Sequence, residues 1–249
     1  MKKICLNAGH YLYTSGKRCL KSLDPNETRE WILNDRILRK VIEILSGYEG
    51  YELLRLDDPS GKTGISLQDR VKKANKFLAD IYISIHHNAG INGGSGGGIV
   101  AYVYSGLSKK DPKNALTFEW QKALYNSLIS HTGLSGNRSN PLAQSDLYEC
   151  RCTAMPAVLL ELGFMDSKTD VPIILSEDYA NKCAKAIAEV IVSRCDLKKK
   201  AEPEAEKNAD QKTLYRVQVG AFSNKANAEK LKSELVKKGY SAFIVSSEK

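Results

Sequence analysis

The period of the apolar pattern switches repeatedly along the chain, and that switching restricts the architecture more than any other feature. Lys2 to Asn7, Tyr51 to Leu56 and Ile81 to Ile85 are apolar or β-branched runs of strand length. Between them, Leu33, Ile37, Leu38, Val41 and Leu45 recur at helical spacing after the Asp24-Pro25-Asn26 break and stop at Ser46-Gly47. Ser66 stands in a capping position ahead of a second stripe, Leu67, Val71, Ala74 and Leu78. This order predicts an α/β fold, an open twisted mostly parallel sheet with helices on both faces. Further on, Gly93 to Gly98 precedes a strand at Ile99 to Tyr104, a helix is expected from about Pro112 to Ser130, and the strand Ala157 to Leu160 leads to Glu161. Ser176 caps a last helix bearing Ala180, Cys183, Ile187 and Ile191. The glycine run is followed by a strand and lacks Gly-Lys-Ser/Thr, so it reads as a flexible loop bordering a cleft, not as a phosphate loop.

Four stretches then place acid-base or metal-type side chains at element ends: Asn7-Ala8-Gly9-His10, Glu30 to Asn34, Ser84 to Ala89, and Pro156 to Phe164. His, Glu, His and a further Glu can supply three ligands for one Zn²⁺ and one carboxylate for proton transfer. His10 and His86 fall at strand ends, on the sheet edge where ligands collect in open α/β folds. His87 neighbours His86 and must point to the opposite side of an extended backbone, so it is not a ligand. Glu27 and Glu30 both fit the third position from the residues alone. Glu161 follows four apolar residues, where an unpaired carboxylate is costly; an ion pair with Arg138 or Arg151 is the bland alternative to a catalytic role. His131 reads as a surface residue.

Together these motifs resemble the zinc-dependent N-acetylmuramoyl-L-alanine amidases, cell-wall hydrolases, over residues 1–195. The resemblance is carried by Gly9-His10, by Ser84-Ile85-His86-His87-Asn88-Ala89 and by Pro156-Ala157-Val158-Leu159-Leu160-Glu161-Leu162-Gly163-Phe164. Leu33 and Asn34 follow Glu30 as they follow the ligand glutamate of that family, so the resemblance selects Glu30 over Glu27. It implies Zn²⁺ held by His10, Glu30 and His86, with Glu161 as general base toward a zinc-activated water and then as acid toward the departing L-alanine amine. Tyr11 to Arg18 replaces the family's usual glycine-rich sequence after the first histidine.

Residues 196–213 are rich in Lys, Glu and Ala and read as a linker. Residues 214–249 are similar to the first strand-helix-strand half of a SPOR domain, a peptidoglycan-binding module; this implies a small βαβ segment, and a possible homodimer through it, because so short a piece falls below the roughly 40 residues that usually fold unaided. The chain of 249 residues carries a net charge of +8, and residues 1–195 and 196–249 each contribute +4. Such a charge suits peptidoglycan and its anionic polymers. No aromatic-interleaved arginine block suggests nucleic acid. Six cysteines without Cys-x-x-Cys spacing read as reduced thiols, not as a disulfide framework. No apolar window reaches spanning length, and Met1-Lys2-Lys3 runs straight into the first motif, leaving no room for a signal peptide. The expected setting is therefore synthesis in the cytoplasm and action on the wall after release, as a phage lysin in preference to a bacterial enzyme held until lysis.

Overall fold

The computed structural model describes residues 1–201, 218–240 and 242–245. In the first compact unit, Met1–Ala201, the elements run β1 (Lys2–Ala8), α1 (Glu30–Leu45), β2 (Tyr48–Glu49), β3 (Tyr51–Arg55), α2 (Leu67–Phe77), β4 (Ile81–Asn88), β5 (Ile99–Tyr104), α3 (Ala115–Thr132), β6 (Leu142–Ser145), α4 (Tyr148–Cys152), β7 (Ala157–Phe164), α5 (Val171–Ile174), α6 (Glu177–Arg194) and β8 (Lys198–Lys199). Six strands form one sheet in the order β3-β1-β4-β7-β5-β6. Every neighbouring pair is parallel except β5 against β7.

Strand parity explains the two layers. Ile4, Leu6 and Ala8, Ile81, Ile83 and Ile85, and Val158, Leu160 and Leu162 point to one face, where they bury against α1, α3 and α6. Cys5, Tyr82 and Leu159 point to the other, against Ala74 of α2 and Cys150 of α4. Each fully buried aliphatic side chain stabilises the unit by about 1.5–3 kcal/mol, so the larger cluster sets the sheet's register.

Helix starts differ in one informative place. Ser66 and Ser176 cap α2 and α6 by accepting from the amides of Asp69 (3.0 Å) and Tyr179 (3.1 Å). Asp24 does not cap α1; its carboxylate accepts from the amides of Asn26 and Thr28 and closes a separate turn, and the helix begins only at Glu30. At the far end, the expected linker starts inside the folded unit: Leu197 is buried and β8 pairs with β2.

The second compact unit spans Glu202–Lys249, and most of the expected linker lies outside the described residues. Its helix α7 (Lys225–Lys237) is capped by Asn224, which accepts from the amide of Ala226. Residues 218–223 and 242–245 carry no strand; residues 215–217 of the expected first strand are outside the described set. A strand needs a ladder partner, and among the described residues none is paired with these segments. No residue of α7 is buried.

Candidate metal centre

Three elements converge just past β1. The strand ends at Ala8, and His10 follows in left-handed backbone (φ 64°), a conformation that costs a non-glycine residue energy unless its surroundings impose it. Buried Arg70 of α2 does so by donating to the carbonyls of His10 (3.0 Å) and Ile65 (3.1 Å). A Cβ on Gly9 would lie 2.1 Å from Cε1 of His86, so only glycine admits the imidazole at this spot. Glu30, at the first turn of α1 and fully buried, faces both rings: its Oε2 is 3.3 Å from His10 Nε2 and its Oε1 is 3.0 Å from His86 Nδ1. Asn34, one turn on, donates to the Gly9 carbonyl at 3.1 Å and accepts from His87 Nδ1 at 2.8 Å. His87 thus turns to Asn34, one helical turn beyond the Glu30 that faces His86.

One potential ligand atom from each of His10, Glu30 and His86 lies within 4.8 Å of the others. Glu30 Oε2 and His86 Nε2 are buried without a hydrogen-bond partner, and Glu161 Oε2 shares that condition. Two imidazoles and a carboxylate are a zinc donor set of the kind that leaves a coordination position open. The residues present fit the ion.

Charge in the cluster is strongly biased. Burial opposes ionisation of Glu30, but its hydrogen bond to His86 and the charges of His86, His10 and Lys17 outweigh burial and hold its carboxyl below the usual range. Burial drives His10 down to about 4, with Glu30 opposing. For His86, burial is outweighed by Glu149 and Glu30, which raise it. Glu161 moves the other way from Glu30: burial, reinforced by the Glu30 charge, raises it against His86 and Lys17. Two carboxyls with pKa values pushed apart in one cleft is the arrangement expected of an anionic ligand beside a proton carrier.

Residues 4–193 match the N-acetylmuramoyl-L-alanine amidase family, and residues 196–249 match the SPOR domain. The chain belongs to the N-acetylmuramoyl-L-alanine amidase family. It is 31% identical over 198 residues, 80% of this chain and 68% of the relative, to the sporulation-specific N-acetylmuramoyl-L-alanine amidase of Bacillus subtilis (strain 168). It is 32% identical over 211 residues, 84% of this chain and 72% of the relative, to the endolysin of Bacillus phage SPP1. Among solved structures, the catalytic domain of the amidase CwlV from Bacillus (Paenibacillus) polymyxa var. colistinus superposes with a TM-score of 0.67 at 26% identity, over 80% of this chain and 100% of that one.

In this amidase the residues expected from the sequence are sorted plainly. Glu27 lies in a turn before α1 and pairs with Arg18 (2.6 Å) and Lys21 (3.9 Å), outside the cluster. Glu161 lies within β7, which continues to Phe164 where the sequence suggested an end at Leu160, and it stands opposite His86 in the β4–β7 register. Neither alternative arginine partner takes it: Arg151 pairs with Asp146 and Arg138 packs over the Phe164 ring. His131 is half-buried and faces Glu189 at 3.1 Å. Sequence reasoning missed Glu149. This buried residue of α4 accepts from the Tyr82 hydroxyl and from Asn7 Nδ2 (3.1 Å), and its Oε2 is 3.8 Å from His86 Nε2. Its only sequence signal is an acid beside Cys150 in a short helix. Sequence reasoning also missed Lys17, whose Nζ is 3.8 Å from Glu30 Oε2. The glycine run is not a free hinge, because its amides donate to Thr169, Asn137 and Asp170.

Proposed function

We propose that His10, Glu30 and His86 hold a single Zn²⁺ and that Glu161 moves the proton in hydrolysis of the amide between N-acetylmuramic acid and L-alanine of peptidoglycan. The observation that carries this reading is the convergence of three ligand atoms within 4.8 Å, with Glu30 Oε2 buried and without a hydrogen-bond partner. A zinc ion bound there supplies Lewis acidity, lowering the pKa of a water to about 7 and polarising the scissile carbonyl. The protein's own groups do the rest. Glu161 takes the proton from the attacking water and delivers it to the nitrogen as the C–N bond breaks, giving a lactyl carboxylate and a free L-alanine amine. Burial raises its carboxyl pKa, which suits a group that holds the transferred proton between the two steps. Glu149, 3.8 Å from His86 Nε2, places negative charge behind the imidazole whose Nδ1 faces Glu30. Lys17 adds positive charge on the same side as Glu30.

Setting and further partners rest on the same reading. The relatives include both a sporulation enzyme and a phage endolysin, so release onto the wall after lysis suits either origin. A net charge of +8 favours anionic wall polymers beside peptidoglycan. Pairing of two C-terminal units would cover Val219, Phe222, Val236 and Phe243, which are exposed.

Zinc titration of metal-free protein tests the ligand set. Wild type and Glu27→Ala are expected to take up a single ion, whereas Glu30→Ala loses tight uptake. Full uptake by Glu30→Ala with loss in Glu27→Ala would overturn the assignment.

A further inference from the structure

Beside Glu161 the sheet carries a second, polar hollow of about 380 Å³, lined in part by Asn88, Tyr102, Arg138, Ser139, Asn140 and Phe164. Register fixes its position. Val100 of β5, which also lines it, is the antiparallel partner of Glu161, just as His86 is its parallel partner. Residues opposite one another share a sheet face, so His86, Glu161 and Val100 form one row running from the metal cluster into the hollow, with neighbouring strands about 4.8 Å apart.

None of the residues lining the hollow is acidic, and one is a cation. The Arg138 guanidinium sits 4.4 Å over the Phe164 ring, and among the described residues it has no carboxylate partner. Its loop is held in place. Asn137 accepts from the Gly97 amide at 3.0 Å and donates its own amide to the Gly97 carbonyl at 3.3 Å. A Cβ on Gly98 would lie 2.5 Å from the Ser135 carbonyl oxygen, and one on Gly136 would lie 2.0 Å from that of Gly97. The glycine run therefore serves close approach between two backbones, and the interlocked loops present Arg138 to the hollow. A planar guanidinium held by an aromatic face and lacking an anion is suited to bidentate capture of a carboxylate.

On the amidase reading above, on which this inference rests, the departing side of the substrate carries such a group. The second stem-peptide residue is joined through its side-chain carboxyl, which leaves its α-carboxylate either free or capped as an amide. That group lies about two residues, roughly 7 Å, beyond the scissile nitrogen. The hollow begins one strand spacing from Glu161, at its β5 neighbour Val100, and Arg138 lines it. We infer that Arg138 binds the α-carboxylate of the second stem residue, making this enzyme selective for wall peptides bearing free D-glutamate over those bearing D-isoglutamine.

The test uses zinc-loaded, full-length protein and two disaccharide-tripeptides that differ only in that carboxylate or carboxamide. Wild type is expected to favour the free acid by about tenfold in kcat/KM, mainly through KM, as befits one charge-assisted pair. In Arg138→Gln that ratio falls to near unity, and Arg138→Lys keeps part of it, because charge remains while the fork is lost. Equal turnover of both substrates by wild type, or an unchanged ratio in Arg138→Gln, overturns the inference and leaves the amidase reading standing. Hydrolysis of neither substrate, nor of intact peptidoglycan, overturns both.

Discussion

Replacing Glu149 by Gln isolates the contribution of a carboxylate that never touches the proposed ion. The substitution preserves volume and leaves an oxygen to accept from Tyr82 and Asn7, so the buried pocket stays filled and hydrogen-bonded. What disappears is a negative charge 3.8 Å from His86 Nε2. Two full charges at that separation attract by about 4 kcal/mol at an effective dielectric of about 20. A ligated imidazole carries only part of a unit charge on its N–H, so about 1.4–2.7 kcal/mol is expected to survive. That corresponds to a 10–100-fold loss of zinc affinity, the range typical of outer partners of metal-bound histidines. Competition with a chromophoric chelator at neutral pH measures it, and circular dichroism melts of the metal-free proteins check that both are folded. A zinc Kd within about twofold of wild type in a folded variant would refute the positioning role.

Three further substitutions probe separate links. Glu161→Gln is expected to retain zinc and to lose about 10²–10⁴-fold in kcat, measured by amine release. It also has a pH signature in the metal-free protein. The folded state holds the Glu161 proton at pH values where the unfolded chain, with a carboxyl near 4.5, has lost it, so this group destabilises the fold as pH rises from 4.5 through its raised value of about 8. Melts should therefore show the variant gaining on wild type near the alkaline end and not at the acid end; parallel curves would contradict the burial argument. Gly9→Ala places a methyl 2.1 Å from the His86 ring, and is expected to abolish stoichiometric zinc in a protein that still folds, as read by metal analysis of the purified variant. Ile83→Ala, at a fully buried position of β4, is expected to cost about 2–5 kcal/mol of stability in denaturant melts.

Much of this was readable because period carries direction. Alternation along Ile81 to His87 separates the isoleucines that face α1, α3 and α6 from Tyr82 and His86, and it assigns His86 and His87 to opposite sides before any contact is known. The parallel core and both serine caps follow from equally local signals. Other features depend on contacts that local patterns do not encode. The antiparallel entry of β5 beside β7 is a matter of topology, and β6 is too short and polar to stand out beside Pro141. Glu149 gains meaning only when α4 brings it to Tyr82 and His86, residues far away in the chain. The glycine run illustrates the same limit. Absence of a Cβ can serve freedom or contact, and only the clamp against Ser135, Gly136 and Asn137 shows that contact is its use here.

Hydrolysis at one bond leaves a defined pair of new ends, and product chemistry distinguishes them. Purified peptidoglycan is digested with zinc-loaded protein and, in parallel, with protein stripped by a chelator, and new amino termini and new reducing ends are quantified. New N-terminal L-alanine is expected without new reducing ends, lost on chelation and restored by zinc. Other amino termini, reducing ends without amines, or undiminished release of alanine from the stripped protein would contradict it.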